Sequence, residues 1–87
     1  MDILGQVRQF ILANFYVPSA QRLEDQTSLL DSGLVDSTGV LEVISFIESS
    51  FGVAVADSET LPENLDSIER IAAFVEKKKM RAPTTGG

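Results

Sequence analysis

Apolar residues recur at helical spacing in three stretches of this chain and irregularly between them. In the first, DILGQVRQFILANF, Leu4, Val7, Ile11 and Phe15 form one stripe, with Ile3 and Phe10 beside it. Residues three and four apart share a helix face. The pattern therefore predicts an amphipathic helix from about residue 2 to 15, with its stripe turned to a core. Gly5 weakens it slightly, and Pro18 with Ser19 breaks it.

The second stretch, DSTGVLEVISFIESSFG, is the strongest helix of the chain. Val40, Val43, Ile47 and Phe51 fall on one face, with Ile44 beside them. Asp36 suits the N-cap, where its charge favours the positive helix end, and Gly52 suits the stop. Leu41 and Phe46 lie off the stripe. This helix is thus either the central buried one or one with an exposed apolar strip for contacts.

The third stretch, DSIERIAAFVEKKK, places Ile68, Ile71, Ala72 and Val75 on a buried face bordered by Phe74. Asp66 and Glu69 stand at capping-box spacing, and Lys77, Lys78 and Lys79 suit the negative helix end. Before it, TLPENL predicts one short helix, from Thr60 and Glu63 at the same spacing and Pro62 in the first turn. VAVADSET is too short to support a sheet. Residues 16–35 form a long loop with one helical turn near Leu29 and Leu30, and with Gly33 at a positive φ. Loops of this length are often functional.

The expected fold is all-α: a small antiparallel four-helix bundle, three helices long and one short, with a long first loop. Ile11, Ile47, Phe51 and Ile71 are expected to be buried together. The domain is expected over 1–79, with MRAPTTGG, 80–87, as a flexible tail.

Composition narrows the chemistry. With 87 residues, 44% of them hydrophobic, the chain fits one small domain. It has no cysteine and no histidine. That removes disulfides, thiol nucleophiles, the commonest general base and the commonest zinc ligand. The first residues lack the basic start and apolar run of a signal peptide, and no apolar run reaches membrane-spanning length. A cytoplasmic setting is expected. The net charge is −6, with eleven acidic residues between Glu24 and Glu69 and no Lys or Arg between Arg22 and Arg70. Such a surface repels nucleic acid and anionic membranes and attracts basic partners.

Ser37 is the residue whose placement asks for a reason. As an isolated pair, Asp36-Ser37 is an N-cap followed by an ordinary first-turn serine. As a nucleophile, Ser37 would need a base within hydrogen-bond reach, and no histidine exists to supply one. Asp31, Gly33 and Glu42 match parts of a calcium loop, but the glycine sits too early. No catalytic residue and no metal ligand is assigned.

The stretch LLDSGLVDSTGVLEVISFIESSFG resembles the carrier protein family, which includes acyl, peptidyl and aminoacyl carrier proteins. The resemblance runs from about Ile3 to Val75 with the order of elements kept. Asp36-Ser37 matches the family's attachment motif, and Phe51-Gly52 matches the aromatic end of its second helix. The resemblance implies that Ser37 receives 4'-phosphopantetheine from coenzyme A, through a separate phosphopantetheinyl transferase that uses Mg2+. It also implies a monomeric, non-enzymatic carrier. Its partners would be an acyl- or aminoacyl-loading ligase and downstream enzymes of fatty acid, polyketide or nonribosomal peptide biosynthesis.

Two positions depart from the family pattern. Thr38 stands where Leu or Met is common, and Gly39 where fatty-acid-type carriers have Asp. The loop GLVDS together with Gly39 looks more like freestanding carriers for amino acids, or like those of specialised biosynthetic pathways. Partners are expected to read Thr38, Leu41, Glu42, Ser45 and Glu48, which lie off the core stripe and follow Ser37 along the helix.

Two other readings compete. The terminal Gly86-Gly87 suggests a ubiquitin-like or sulfur carrier, but that class is rich in strands and this chain is helical by period. A helical interaction module without a prosthetic group explains the acidic surface but not the placement of Ser37.

Overall fold

The computed structural model describes residues 2–18 and 23–81. It contains α1 (Ile3–Asn14), α2 (Ser37–Phe51), a 3-10 turn (Asp57–Glu59), α3 (Pro62–Leu65) and α4 (Ile68–Arg81). Among the described residues there is no strand, and three of the four α-helices are long. No helix there is long and apolar enough to cross a membrane.

The helix ends follow local chemistry. Asp2 caps α1 by accepting the Gly5 N–H at 2.8 Å, and Asp36 caps α2 by accepting the Gly39 N–H at 2.7 Å. Each cap satisfies one of the orphan donors of a first helical turn. Gly52 closes α2 at φ +69°, and Gly33 turns the loop at φ +80°, both as the sequence predicts.

Two expected capping boxes are not made. Leu61, not Thr60, precedes α3, and Pro62 occupies its first position. Thr60 instead ends the 3-10 turn, where Glu59 accepts the Ala56 N–H at 2.9 Å. At α4 the cap is Ser67, whose Oγ accepts the Arg70 N–H at 3.0 Å. Asp66 is drawn away by the long loop.

The core gathers on α4. Ile68, Ile71 and Val75 are fully buried, and Ala72 and Phe74 nearly so. They pack with Val7 and Ile11 of α1, Val43 and Ile47 of α2, and Leu29, Leu34 and Val35 of the loop. Each large apolar side chain removed from water contributes roughly 1.5–3 kcal/mol. α4 is therefore the central helix, packed on both α1 and α3.

α2 is not the central helix, and its two off-stripe apolar residues part ways. Leu41 stays exposed, at 66%. Phe46 turns inward, stacked on Phe10 of α1 with centroids 4.2 Å apart. Phe51 departs from the expected core set. It is half-buried against that core, edge-on to Phe46 at 5.5 Å, with the Lys79 ammonium 5.9 Å from its centroid. It sits at the last turn of α2.

α4 continues past the expected boundary at 79 to Arg81. The rest of the expected tail, 82–87, including Gly86-Gly87, lies outside the described residues.

Candidate functional site

Over residues 23–35 the long loop is tied down by hydrogen bonds to its neighbours. Arg8 of α1 donates to the Leu23 carbonyl and pairs with Asp25. The Asp25 carbonyl accepts the Glu69 N–H of α4 at 2.9 Å. Asp66 then receives the Ser28 hydroxyl at 2.8 Å and the Leu30 N–H at 2.9 Å, while its carbonyl takes the Leu29 N–H. The expected helical turn is a single one, closed by the Ser32 N–H on the Ser28 carbonyl at 3.1 Å. Leu29 is wholly buried beneath it, and Leu34 and Val35 follow into the core. The loop is thus fixed to α1 and to the α3–α4 junction before it delivers Asp36.

Ser37 is the first residue of α2 and is exposed. Asp36 takes the Gly39 N–H, and the Val40 N–H returns to the Asp36 carbonyl at 3.0 Å. Among the described residues, nothing accepts the Ser37 and Thr38 N–H groups, as the geometry of a first helical turn dictates. Among those residues, too, no side chain reaches the Ser37 hydroxyl as a base. Lys78 of α4 is committed to Glu59 at 2.9 Å. Among the described residues no group of three or more acidic side chains is placed to hold a metal ion. The site offers an exposed hydroxyl on a fixed helix end.

Gly39 has a structural reason that its spacing does not disclose. A Cβ there would lie 2.7 Å from Cε1 of Phe15 and 3.1 Å from Cγ1 of Val35. The end of α1 and the loop press on the first turn of α2, and only glycine leaves room.

Beyond Ser37, residues Thr38, Leu41, Glu42, Ser45 and Glu48 all lie exposed along α2. The helix therefore presents one solvent face with an apolar side chain among carboxylates. Glu48 is partly engaged, since its carboxylate accepts the Val55 N–H at 2.9 Å and ties down the segment after α2.

A cleft of about 270 Å³ opens beside Ser37, between the end of α1, the Gly33–Leu34 turn and the first turn of α2. Asn14, Phe15, Leu34, Thr38 and Glu42 line it. Asp36 lines it too, and Asp36, Thr38 and Glu42 are the lining residues that the sequence singles out.

No family model matches the chain. Among curated proteins, it is similar to the D-alanyl carrier protein of Abiotrophia defectiva, with 39% identity over 51 residues. That match covers 59% of this chain and 65% of the relative, so it spans just under two thirds of that protein's length. It is also similar to the "Probable acyl carrier protein PigG" of a Serratia species, 28% identical over 75% of this chain and 74% of the relative. The acyl carrier protein of Solidesulfovibrio magneticus is 28% identical over 91% of this chain and 97% of the relative.

Proposed function

We propose that this chain, which belongs to the carrier protein family, holds an acyl or aminoacyl group as a thioester on a 4'-phosphopantetheine arm attached to Ser37. The observation that carries the reading is the placement of Ser37, exposed at the open end of a 15-residue helix beside two N–H groups with no partner among the described residues. Those donors and the positive end of the helix dipole suit the phosphodiester that attachment would create. Nothing in the first turn of α2 obstructs it, because Asp36 faces Gly39 and Ser37 faces solvent.

In the attachment step, the Ser37 oxygen bonds to phosphorus and the diphosphate of coenzyme A breaks. Adenosine 3',5'-bisphosphate leaves, and the hydroxyl proton passes to a base of the transferase. Among the described residues no side chain reaches the Ser37 hydroxyl, so the base belongs to the transferase in this reading. When bound, the arm supplies a terminal thiol for the cargo. Leu41 and Glu42, with Thr38 and Ser45, form the face that a phosphopantetheinyl transferase, a loading ligase and downstream enzymes would dock against. Glu48 extends that face in charge.

The test is mass spectrometry after incubation with coenzyme A and a broad-specificity phosphopantetheinyl transferase. The parent is expected to gain one phosphopantetheine, and Ser37→Ala none. A parent that gains no mass, or an alanine variant modified equally, rules the reading out.

A further inference from the structure

The cleft beside Ser37 differs in chemistry from the open face of α2. Its lining includes the apolar residues Phe15 and Leu34. It also includes Thr38, Asn14 and Glu42, the last two of which carry oxygen acceptors. Its walls are fixed. Phe15 is wedged against Gly39 and meets Phe10 edge-on at 6.0 Å. Leu34 is 8% exposed. The Asn14 amide nitrogen donates to the Phe10 carbonyl at 2.9 Å, a bond that does not engage its Oδ1.

We propose that this cleft holds the pantetheine part of the arm on Ser37, an inference that rests on the Ser37 reading above. That part is neutral and combines a branched dimethyl group with hydroxyl and amide donors. Phe15 and Leu34 match the first, and Asn14 Oδ1 and Glu42 match the second. The anionic phosphodiester is repelled by Glu42 and stays at the open N–H groups of α2. Because Ser37 lies between two residues that line the cleft, Asp36 and Thr38, the tether keeps the local concentration of the arm high, on the order of mM, so weak contacts suffice. A prearranged cleft lowers the ordering cost further. The consequence is a carrier whose arm rests against α1 and the loop at the edge of the docking face, sharing Thr38 and Glu42 with it and leaving Leu41, Ser45 and Glu48 clear for partners.

The experiment compares amide and methyl NMR spectra of the unmodified and phosphopantetheinylated chains, with modification verified by mass. Expected are arm-dependent shifts at Asn14, Phe15, Leu34 and Glu42, and nuclear Overhauser contacts from the dimethyl protons to Phe15 and Leu34. Asn14→Trp, which fills the mouth of the cleft from an exposed position, should abolish both in chains that mass spectrometry shows to carry the arm, with parental circular dichroism. Shifts confined to residues 36–38, shifts along residues 53–61 instead, or an unchanged pattern in Asn14→Trp would overturn the proposal. So would a response at the cleft that arises only after an amino acid is loaded, since the occupant would then be cargo. A chain that gains no mass overturns the Ser37 reading itself, and is distinguished from these outcomes by the mass spectrum.

Discussion

Phe15 and Gly39 are locked together: the ring edge of one occupies the space a side chain would need at the other, with only 2.7 Å to a Cβ placed there. This contact joins the end of α1 to the first turn of α2, two residues from Ser37. In an unconstrained helix, Gly→Ala stabilises by roughly 0.5–1 kcal/mol. Here overpacking against a half-buried ring and Val35 opposes it, typically at about 1–3 kcal/mol. Gly39→Ala is therefore expected to lower the melting temperature. In a Phe15→Ala background the same change should be neutral or stabilising, and a double-mutant cycle measures the coupling. Equal effects in both backgrounds would contradict the contact.

Asp66 holds the loop across 36 and 38 residues of sequence, through Leu30 and Ser28. Asp66→Ala leaves two donors without a partner, at a cost of about 1–3 kcal/mol. Urea denaturation should show this loss, and amide exchange at Leu30 should accelerate. An exchange rate equal to the parent's would exclude the clasp.

Ser37→Ala should leave folding intact, because alanine is the best helix former and Ser37 makes no side-chain bond among the described residues. Circular dichroism should match the parent while the mass gain disappears.

Glu42→Lys should slow loading by a basic transferase or ligase surface, chiefly through the association rate. The effect should shrink as salt shortens the Debye length to about 8 Å. Glu42 suits this test better than Glu48, whose carboxylate bonds the Val55 N–H, so that reversal there would also loosen the segment after α2. Leu41→Ala should instead raise the dissociation rate with little dependence on salt. Loading rates equal to the parent's at low salt for Glu42→Lys would exclude this face.

Ile47 and Phe51, one turn apart on α2, should differ in thermal melts. Ile47 is fully buried, and its truncation to alanine should cost about 2–5 kcal/mol. Phe51→Ala should fall well below the ~3–5 kcal/mol of a fully buried phenylalanine, because Phe51 is only half-buried.

Several features of this protein were determined by sequence alone. The long helices follow from apolar residues at spacings of three and four, the cap of α2 from Asp36, and the two left-handed turns from Gly33 and Gly52. The exposed placement of Ser37 follows from those same signals, since a cap fixes which residue starts a helix. All are short-range effects, settled within one or two turns of chain.

The tertiary structure decided everything that depends on which distant residues meet. Asp66 has the spacing of a cap for α4, yet it serves Ser28 and Leu30, and Ser67 caps in its place. Leu41 and Phe46 look alike as off-stripe apolar residues, but Phe46 meets Phe10 and Leu41 meets solvent. Gly39 reads as a weak helix position until Phe15 is laid across it. Local spacing determines which face of a helix a residue occupies. It carries no information about which neighbour covers that face, because that is set by the packing of segments 24 or 38 residues apart, such as Phe15 with Gly39 and Ser28 with Asp66.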